Sequence, residues 1–454
     1  MRINAMKDPF AQHNIYQLPL DEEFGRKDVF FVYAPVAGNM MIASHEECEQ
    51  LKRLILHPEE ADEDMSFILD SLLVGTPASE RDSRVRHVDD FLLMYILPNY
   101  ICNFSCSYCF SAKGRSKQAL KQEHLKAALD FFIDSNRTES DRLAITYLGG
   151  GEPTISWDVL RYGLEYGDEL ASKHSIHLMT TLVTNGSIVD EEMVEVFRRY
   201  GVRVRVSFEI LEEIQNKQRG QYENVCRGVD LLCQGGVETM VRSMITPDNV
   251  NLMPLMIERL HERFPQVHIA LFDPITSSET FSDPAFTAKF YDDYFNSFLK
   301  ARQVAAGYGI KLTCAPLRNL DMVVERYCTG EFCLTPEGTI TLCHQVSSPR
   351  EKGYDKCVYA RIDDENTLHI DHEKFDSLIQ QDTIYTQPRC KDCFIKWNCG
   401  GGCMMQNNQY SAEIRDVICD FTRRFSKFLL IERLADDYSK SGESLADIIK
   451  NYPC

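Results

Sequence analysis

The chain has 454 residues, of which 44% are hydrophobic and 26% charged, with a formal net charge of −19. That length is roughly three domains' worth and enough to bury a large core. No apolar run approaches the length of a membrane span, residues 1–16 lack the basic-then-apolar layout of a secretory signal, and the acidic balance argues against nucleic acid, which calls for cationic surface.

Residues 29–33 are rich in β-branched and aromatic side chains and read as a strand. Pro35 and Gly38 mark the turn into a second strand over 39–42. Ser44 is placed to N-cap a helix over 45–56, with Glu47 completing a capping box, and another helix is expected over 65–73. Residues 1–88 thus read as a small α+β cap, with a linker over 75–86. From Phe91 the pattern changes. The continuous apolar run 92–97 suits a strand covered on both faces. Helices are expected near 119–135, 156–172, 189–200, 220–234, 250–263 and 283–307, with strands near 143–148, 177–183, 202–208, 238–245 and 267–272. This alternation predicts an α/β unit over 89–310 with a mainly parallel sheet, doubly wound or curled into a full or partial barrel. Hairpins and cysteine-rich loops fill 311–437, ending in a helix near 417–437. The polar tail 438–454 reads as loosely held.

Seventeen cysteines are the unusual quantity. An odd number cannot all pair as disulfides, and a chain expected in the cytoplasm keeps its thiols reduced. The strand at 92–97 runs into a loop carrying Cys102, Cys106 and Cys109 as C-x3-C-x2-C. Three thiolates so close repel one another and call for a metal. Zinc with an open position and a [4Fe–4S] cluster with one iron free of protein sulfur both suit them. Loops at the C-terminal ends of strands form the active face of α/β sheets and barrels.

This motif, with the aromatic Tyr108 before its last cysteine, resembles the signature of the radical SAM superfamily. The resemblance implies a partial (β/α)6 TIM-like barrel, a [4Fe–4S] cluster on Cys102, Cys106 and Cys109, and S-adenosylmethionine chelated at the free iron. It implies an electron from a flavodoxin- or ferredoxin-type donor, which cleaves the sulfonium to a 5′-deoxyadenosyl radical that abstracts hydrogen from an unactivated carbon. It further implies S-adenosylmethionine-binding roles for Tyr108, for Gly150, Gly151 and Glu152 after the second strand, for Asn185 after the third, and for Ser207 and Glu209 after the next. Glu152 would meet the methionine ammonium. Ile210 stands where relatives carry glycine, and Arg219 alone remains of a His-Asp-x-x-Arg motif. Arg242, a charge inside an expected buried strand, needs a partner and is counted with the cofactor-binding residues.

Cys328 and Cys343 bracket Gly338 as C-x9-G-x4-C on an expected hairpin. Cys390, Cys393, Cys399, Cys403 and Cys419 follow. Zinc ribbons offer one reading. The full pattern resembles the SPASM domain, which implies two auxiliary [4Fe–4S] clusters and three clusters in all. Cys328, Cys343 and Cys403 would hold the first, and Cys390, Cys393, Cys399 and Cys419 the second. A further ligand found in some relatives falls near Met322 here. Cys333 or Cys314 is then the substitute, or one iron stays open to a peptide thiol. His344, where sulfatase-maturing relatives carry an aspartate, is a candidate base. Cys48, Cys226, Cys233, Cys357 and Cys454 lack ligand spacing and read as ordinary residues.

Relatives of this kind act mostly on ribosomally made peptides. The expectation is a peptide maturase whose winged-helix-like cap takes a precursor's leader along the strand edge near 29–42. It would form an intramolecular cross-link, a Cys thioether of the sactipeptide or ranthipeptide type or else a C–C or C–O bond. The alternatives are an anaerobic sulfatase-maturing, formylglycine-forming enzyme and a non-enzymatic zinc-binding or degenerate peptide-binding scaffold.

Overall fold

The computed structural model describes residues 8–74, 85–328 and 330–453; most of the expected linker and Cys454 lie outside the described residues. Strands β1 (Tyr16–Leu20), β2 (Arg26–Ala34) and β3 (Asn39–Ser44) form an antiparallel sheet in the order β1-β2-β3. Ser44 Oγ accepts the Glu47 N–H at 3.2 Å, while Glu47 Oε2 accepts the Ser44 N–H at 2.7 Å. That capping box starts the helix His45–Leu56, and Asp62 caps the next helix, Glu63–Leu73. Cys48, Leu51, Leu54, Leu69 and Leu72 pack these helices against Val32, Ala34 and Ala43. Val29, Phe31 and Tyr33 alternate to the other face of β2 and join the main core. The pattern along 16–20 did not announce β1, which contains Pro19. Because β1 covers β2, the expected peptide-pairing edge over 29–42 narrows to β3.

The strands β4 (Leu93–Ile96), β5 (Arg142–Tyr147), β6 (His177–Thr184), β7 (Arg203–Ser207), β8 (Thr239–Ile245) and β9 (Ile269–Pro274) run parallel. The helices Gln122–Phe132, Trp157–His174, Glu191–Arg199, Tyr222–Gln234, Met253–Arg263 and Pro284–Gly307 alternate with them. This is the (β/α)6 partial-barrel arrangement of the α/β class. β10 (Lys311–Thr313) adds a seventh parallel strand, too short to show a period in sequence. β11 (Phe332–Leu334) then pairs parallel with β4 on its other side. β12 (Thr339–Thr341), β13 (Val358–Ile362) and β14 (Leu368–Ile370) extend the sheet antiparallel, giving 11 strands. Met94 and Ile96 of β4 face the helices, whereas Tyr95 meets Leu97, Tyr100, Leu148 and Cys333 on the inner face.

The last long helix, Ala412–Lys440, packs on Pro284–Gly307 through Phe421 and Phe425 against Tyr291, Tyr294 and Phe298. The tail, expected to be loose, is docked. Leu445 and Ile449, one helical turn apart, are buried in the helix Leu445–Asn451. Arg26 donates to the carbonyls of Ile449 at 2.8 Å and Lys450 at 2.9 Å, partnering last-turn acceptors that the helix itself leaves open. Tyr452 Oη donates to the Ile42 carbonyl of β3 at 3.1 Å. Among the described residues no helix is long and apolar enough to cross a membrane.

A Cβ added at Gly228, in the helix after β7, would lie 1.9 Å from the Gly186 carbonyl, whereas one at Gly307 meets nothing within 4 Å. Gly228→Ala is therefore expected to lower stability in urea unfolding by about 1–3 kcal/mol. Gly307→Ala should not, because it adds no clash and removes unfolded-chain freedom.

Candidate active site

The loop after β4 is fixed by the turn after β5. Asn99 Nδ2 donates to the Glu152 carbonyl at 3.0 Å and to Ser156 Oγ at 2.8 Å, and its Oδ1 accepts the Ile101 N–H at 2.8 Å. The Glu152 N–H in turn donates to the Ile101 carbonyl at 2.6 Å. A Cβ on Gly151 would lie 2.0 Å from that same carbonyl, so only glycine lets the two loops approach this closely. The Glu152 side chain is 2% exposed. Its Oε1 accepts the Thr154 N–H and the Thr154 and Thr184 hydroxyls, and its Oε2 accepts the Asn185 N–H at 2.7 Å. The carboxylate expected to serve an ammonium is thus first a hub joining the ends of β5 and β6, with acceptor capacity remaining at Oε2. Asn185 also donates to Asn103 Oδ1 at 2.8 Å, beside Cys102.

A buried group underlies the same loop. Tyr108 Oη donates to Glu209 and accepts from Arg219 at 2.9 Å, and Arg219 lies 3.8 Å from Glu209. Glu209 also accepts from Ser243 Oγ and from the Met244 N–H at 3.1 Å. Burial pushes the Glu209 carboxyl up, and the Arg219 guanidinium opposes that rise. Glu209 is fully buried, so Tyr108, Glu209 and Arg219 support the cysteine loop from behind, which corrects the expectation that Glu209 itself meets a cofactor. Ile210, in the place of a glycine, holds φ at +66°, a strained setting for a β-branched residue. Ser207 pairs in register with Arg242 across β7 and β8, and Arg242 Nε donates to Asp273 Oδ2 of β9 at 3.1 Å.

The thiols fall into three electrostatic neighbourhoods. Cys102, Cys106 and Cys109 act on one another. Cys343 feels Cys328 and Cys403. Cys399 feels Cys390, Cys393 and Cys419. Burial raises Cys102 and Cys106, lifts Cys328 and Cys390 to about 11 and lifts Cys399 to about 12. Cys314 lies with Tyr294 and Asp273. Cys333 bonds Thr341 and faces Leu97, Tyr100 and Leu148. Neither thiol acts on the group of Cys328, which leaves the other alternative, an iron without a further protein sulfur.

Residues that carry no motif complete the picture. Arg115 donates to Cys109 Sγ at 3.4 Å and to the Phe104 carbonyl. Arg326 acts on Cys328, and Arg389 on Cys390 and Cys419. Arg115 Nε, Arg219 Nε, Arg326 Nε and Nη1, and Arg389 Nη1 are buried without a hydrogen-bond partner. Each thiol group therefore has a guanidinium beside it with N–H capacity to spare, which fits an anionic iron–sulfur group.

The β4–β11 pairing brings the loops of the first two thiol groups side by side. His344, after Cys343, has its ring 5.6 Å from Phe110, after Cys109, and 5.6 Å from Tyr95. Its Nδ1 bonds Glu331 at 2.7 Å, and its backbone N–H donates to Glu331 at 2.6 Å. Nothing in the spacing marked Glu331, which the fold alone sets opposite His344.

The family described as the radical SAM superfamily matches residues 96–259, from the end of β4 into the helix after β8. Among curated proteins, the cysteine-type anaerobic sulfatase-maturating enzyme of Clostridium novyi (strain NT) is 22% identical over 326 residues, covering 66% of this chain and 84% of that one. The AdoMet-dependent heme synthase of Nitratidesulfovibrio vulgaris is 25% identical over 227 residues, or 47% of this chain and 57% of that one. Among solved structures, native anSMEcpe with bound AdoMet and Cp18Cys peptide is similar at a TM-score of 0.59 and 18% identity, covering 76% of this chain and 99% of that one; this likeness is one of fold.

Glu152→Gln would set an amide N–H₂ against donors from Thr184 or Asn185. The expected cost is about 1–3 kcal/mol of stability, together with weaker S-adenosylmethionine binding in equilibrium dialysis. Unchanged unfolding would show that the carboxylate is not a structural hub.

Proposed function

We propose that this chain, whose residues 96–259 match the radical SAM superfamily, is a radical SAM enzyme that matures a ribosomally made peptide by forming an intramolecular cross-link, a Cys thioether or else a C–C or C–O bond. The observation that carries this reading is the β4–β11 pairing, which sets the residue after Cys343 against the residue after Cys109. Cys102, Cys106 and Cys109 form one group and Cys328, Cys343 and Cys403 the other, and His344, next to Cys343, has its ring 5.6 Å from Phe110, next to Cys109, and 5.6 Å from Tyr95. The first group would hold the [4Fe–4S] cluster that the family implies, and the second group and that of Cys390, Cys393, Cys399 and Cys419 would hold two more. The chemistry that a bound cluster and S-adenosylmethionine supply is one-electron cleavage to a 5′-deoxyadenosyl radical and abstraction of hydrogen from carbon.

The chain's own residues set the stage. Gly150, Gly151 and Glu152 present backbone and one carboxylate oxygen to the methionine end, Asn185 ties that turn to the cysteine loop, and Ser207 stands on the inner face beside Arg242. Arg115 and Arg219 offset thiolate charge. With Cys314 and Cys333 turned elsewhere, the second group offers three thiols of this chain and leaves a place for a substrate sulfur. Two further roles belong to this reading: a leader peptide pairing along β3, and a flavodoxin- or ferredoxin-type protein delivering the electron. The similarity to the sulfatase-maturating enzyme favours, as a second reading, oxidation of a cysteine to an aldehyde in a sulfatase. Glu331-bound His344 would then stand in for the aspartate of such relatives.

Anaerobic reconstitution should give about 12 Fe per chain. Replacing Cys102, Cys106 and Cys109 together by Ala should abolish reductive cleavage of S-adenosylmethionine. Incubation with the short peptides encoded beside the gene should lower the mass of one of them by about 2 Da per cross-link, the two hydrogens lost. An aldehyde product captured by a hydrazide would instead support the sulfatase reading. Zinc without iron would refute both.

A further inference from the structure

The inner face of the sheet carries more positive charge than its own residues balance. Arg205 of β7, Arg242 of β8 and Arg318 of the short helix Ala315–Asn319 gather around one carboxylate, Asp273 of β9. Asp273 is largely committed. Its Oδ2 accepts Arg242 Nε at 3.1 Å, its Oδ1 accepts the Ala315 N–H at 2.7 Å, and Arg318 stands 4.0 Å away. Arg205 has no ion pair among the described residues, and its Nε is buried without a partner. Burial, Arg242 and Arg318 together lower it below an ordinary arginine, with Asp273 only partly opposing them.

The other groups that face this cluster do not supply the missing charge. Tyr95, across the cavity, is held neutral because burial and Glu331 push its phenol up. Glu331 is bonded to His344. Three guanidiniums against one carboxylate, with the Arg205 Nε buried, leave positive charge that an anion would balance. The site is also reachable, since the side chains of Arg242 and Arg318 are 36% and 44% exposed. Beside the cluster, Val183 of β6 pairs in register with Arg205 and packs with Tyr95 on the apolar group of Leu97, Tyr100, Leu148 and Cys333.

We propose that Arg205 and Arg318, with Arg242 oriented by Asp273, form a carboxylate-recognition pocket on the inner face of the sheet that takes an acidic group of the substrate. The group is an Asp or Glu side chain or a peptide's terminal carboxylate. This rests on the peptide-maturase reading and names its substrate class as peptides with an acid near the reacting residue. The planar guanidinium fork matches a carboxylate bidentately, so the pocket would fix the substrate in register.

The test is calorimetric titration of the anaerobically reconstituted protein, loaded with S-adenosylmethionine, with three probes: acetyl-Gly-Glu-Gly amide, acetyl-Gly-Gln-Gly amide and acetyl-Gly-Gly-Gly free acid. One of the two acids should bind at least about tenfold more tightly than the Gln peptide. Preference for the Glu peptide identifies a side-chain carboxylate as the ligand, and preference for the free acid identifies a chain terminus. Arg205→Met and, on the exposed short helix where folding is at little risk, Arg318→Met should each erase that preference, and Arg205→Lys should retain part of it. Affinity for S-adenosylmethionine should stay within about twofold in every variant. Equal binding of the three probes, or a preference that survives both Met variants, would overturn the pocket. A large loss of S-adenosylmethionine affinity in Arg205→Met would also overturn it, by giving the arginines to the cofactor's carboxylate. Because no turnover is needed, acid-selective binding without any peptide mass change would leave the pocket standing and remove the maturase reading.

Discussion

The parallel pairing of β11 with β4 is the contact on which the rest depends. In register, Phe332 lies opposite Met94, Cys333 opposite Tyr95 and Leu334 opposite Ile96, and the Leu97 N–H donates to the Leu334 carbonyl at 2.9 Å. The strand that launches the first cysteine loop is therefore hydrogen-bonded to the strand leading into Cys343. Two segments more than 200 residues apart in sequence deliver their loops to one place. Further bonds hold them there: Tyr100 Oη donates to the Ser347 carbonyl, and Ser348 Oγ donates to the Gly114 carbonyl at 2.9 Å.

Charge is arranged around this frame with similar economy. Buried thiols resist ionisation, so a site that must carry several thiolates needs cations on its rim as well as a metal at its centre. Arg115, Arg219, Arg326 and Arg389 provide that rim from positions scattered over the chain. The inner face of the sheet repeats the device without thiols: Arg205, Arg242 and Arg318 surround a single carboxylate. One basic set stands beside sulfur and the other beside a carboxylate, so the two lie on separate parts of the chain.

Much of this was legible in the residues because the governing interactions are local. The Ser44–Glu47 box, the strand–loop–helix alternation from 93 to 307, and the spacing of Cys102, Cys106 and Cys109 are short-range patterns. What escaped notice depends on partners distant in sequence. β1 and β10 are strands because β2 and β9 offer edges, not because five or three residues declare a period. Glu331, Arg115 and Arg205 look like surface charges until the fold turns them inward. The tail reads as polar, yet Leu445 and Ile449 find a surface prepared by residues near the other end of the chain. Glu209 and Glu152 were recognisable as members of motifs, but their hydrogen-bond loads, which make one a support and the other a hub, required the neighbouring strands.

That docked tail has a mechanical consequence. Arg26 grips the last helical turn while Tyr452 reaches the Ile42 carbonyl, so the chain's end straps the N-terminal sheet to the body that holds the cavity. The cap cannot pivot without breaking these bonds and the shared core beneath β2. A peptide laid along β3 would be measured out by a rigid ruler, with a fixed span between its gripped segment and the cavity. Which residue reaches the reactive carbon would then be decided by counting along the peptide from its point of attachment, before any side chain is inspected.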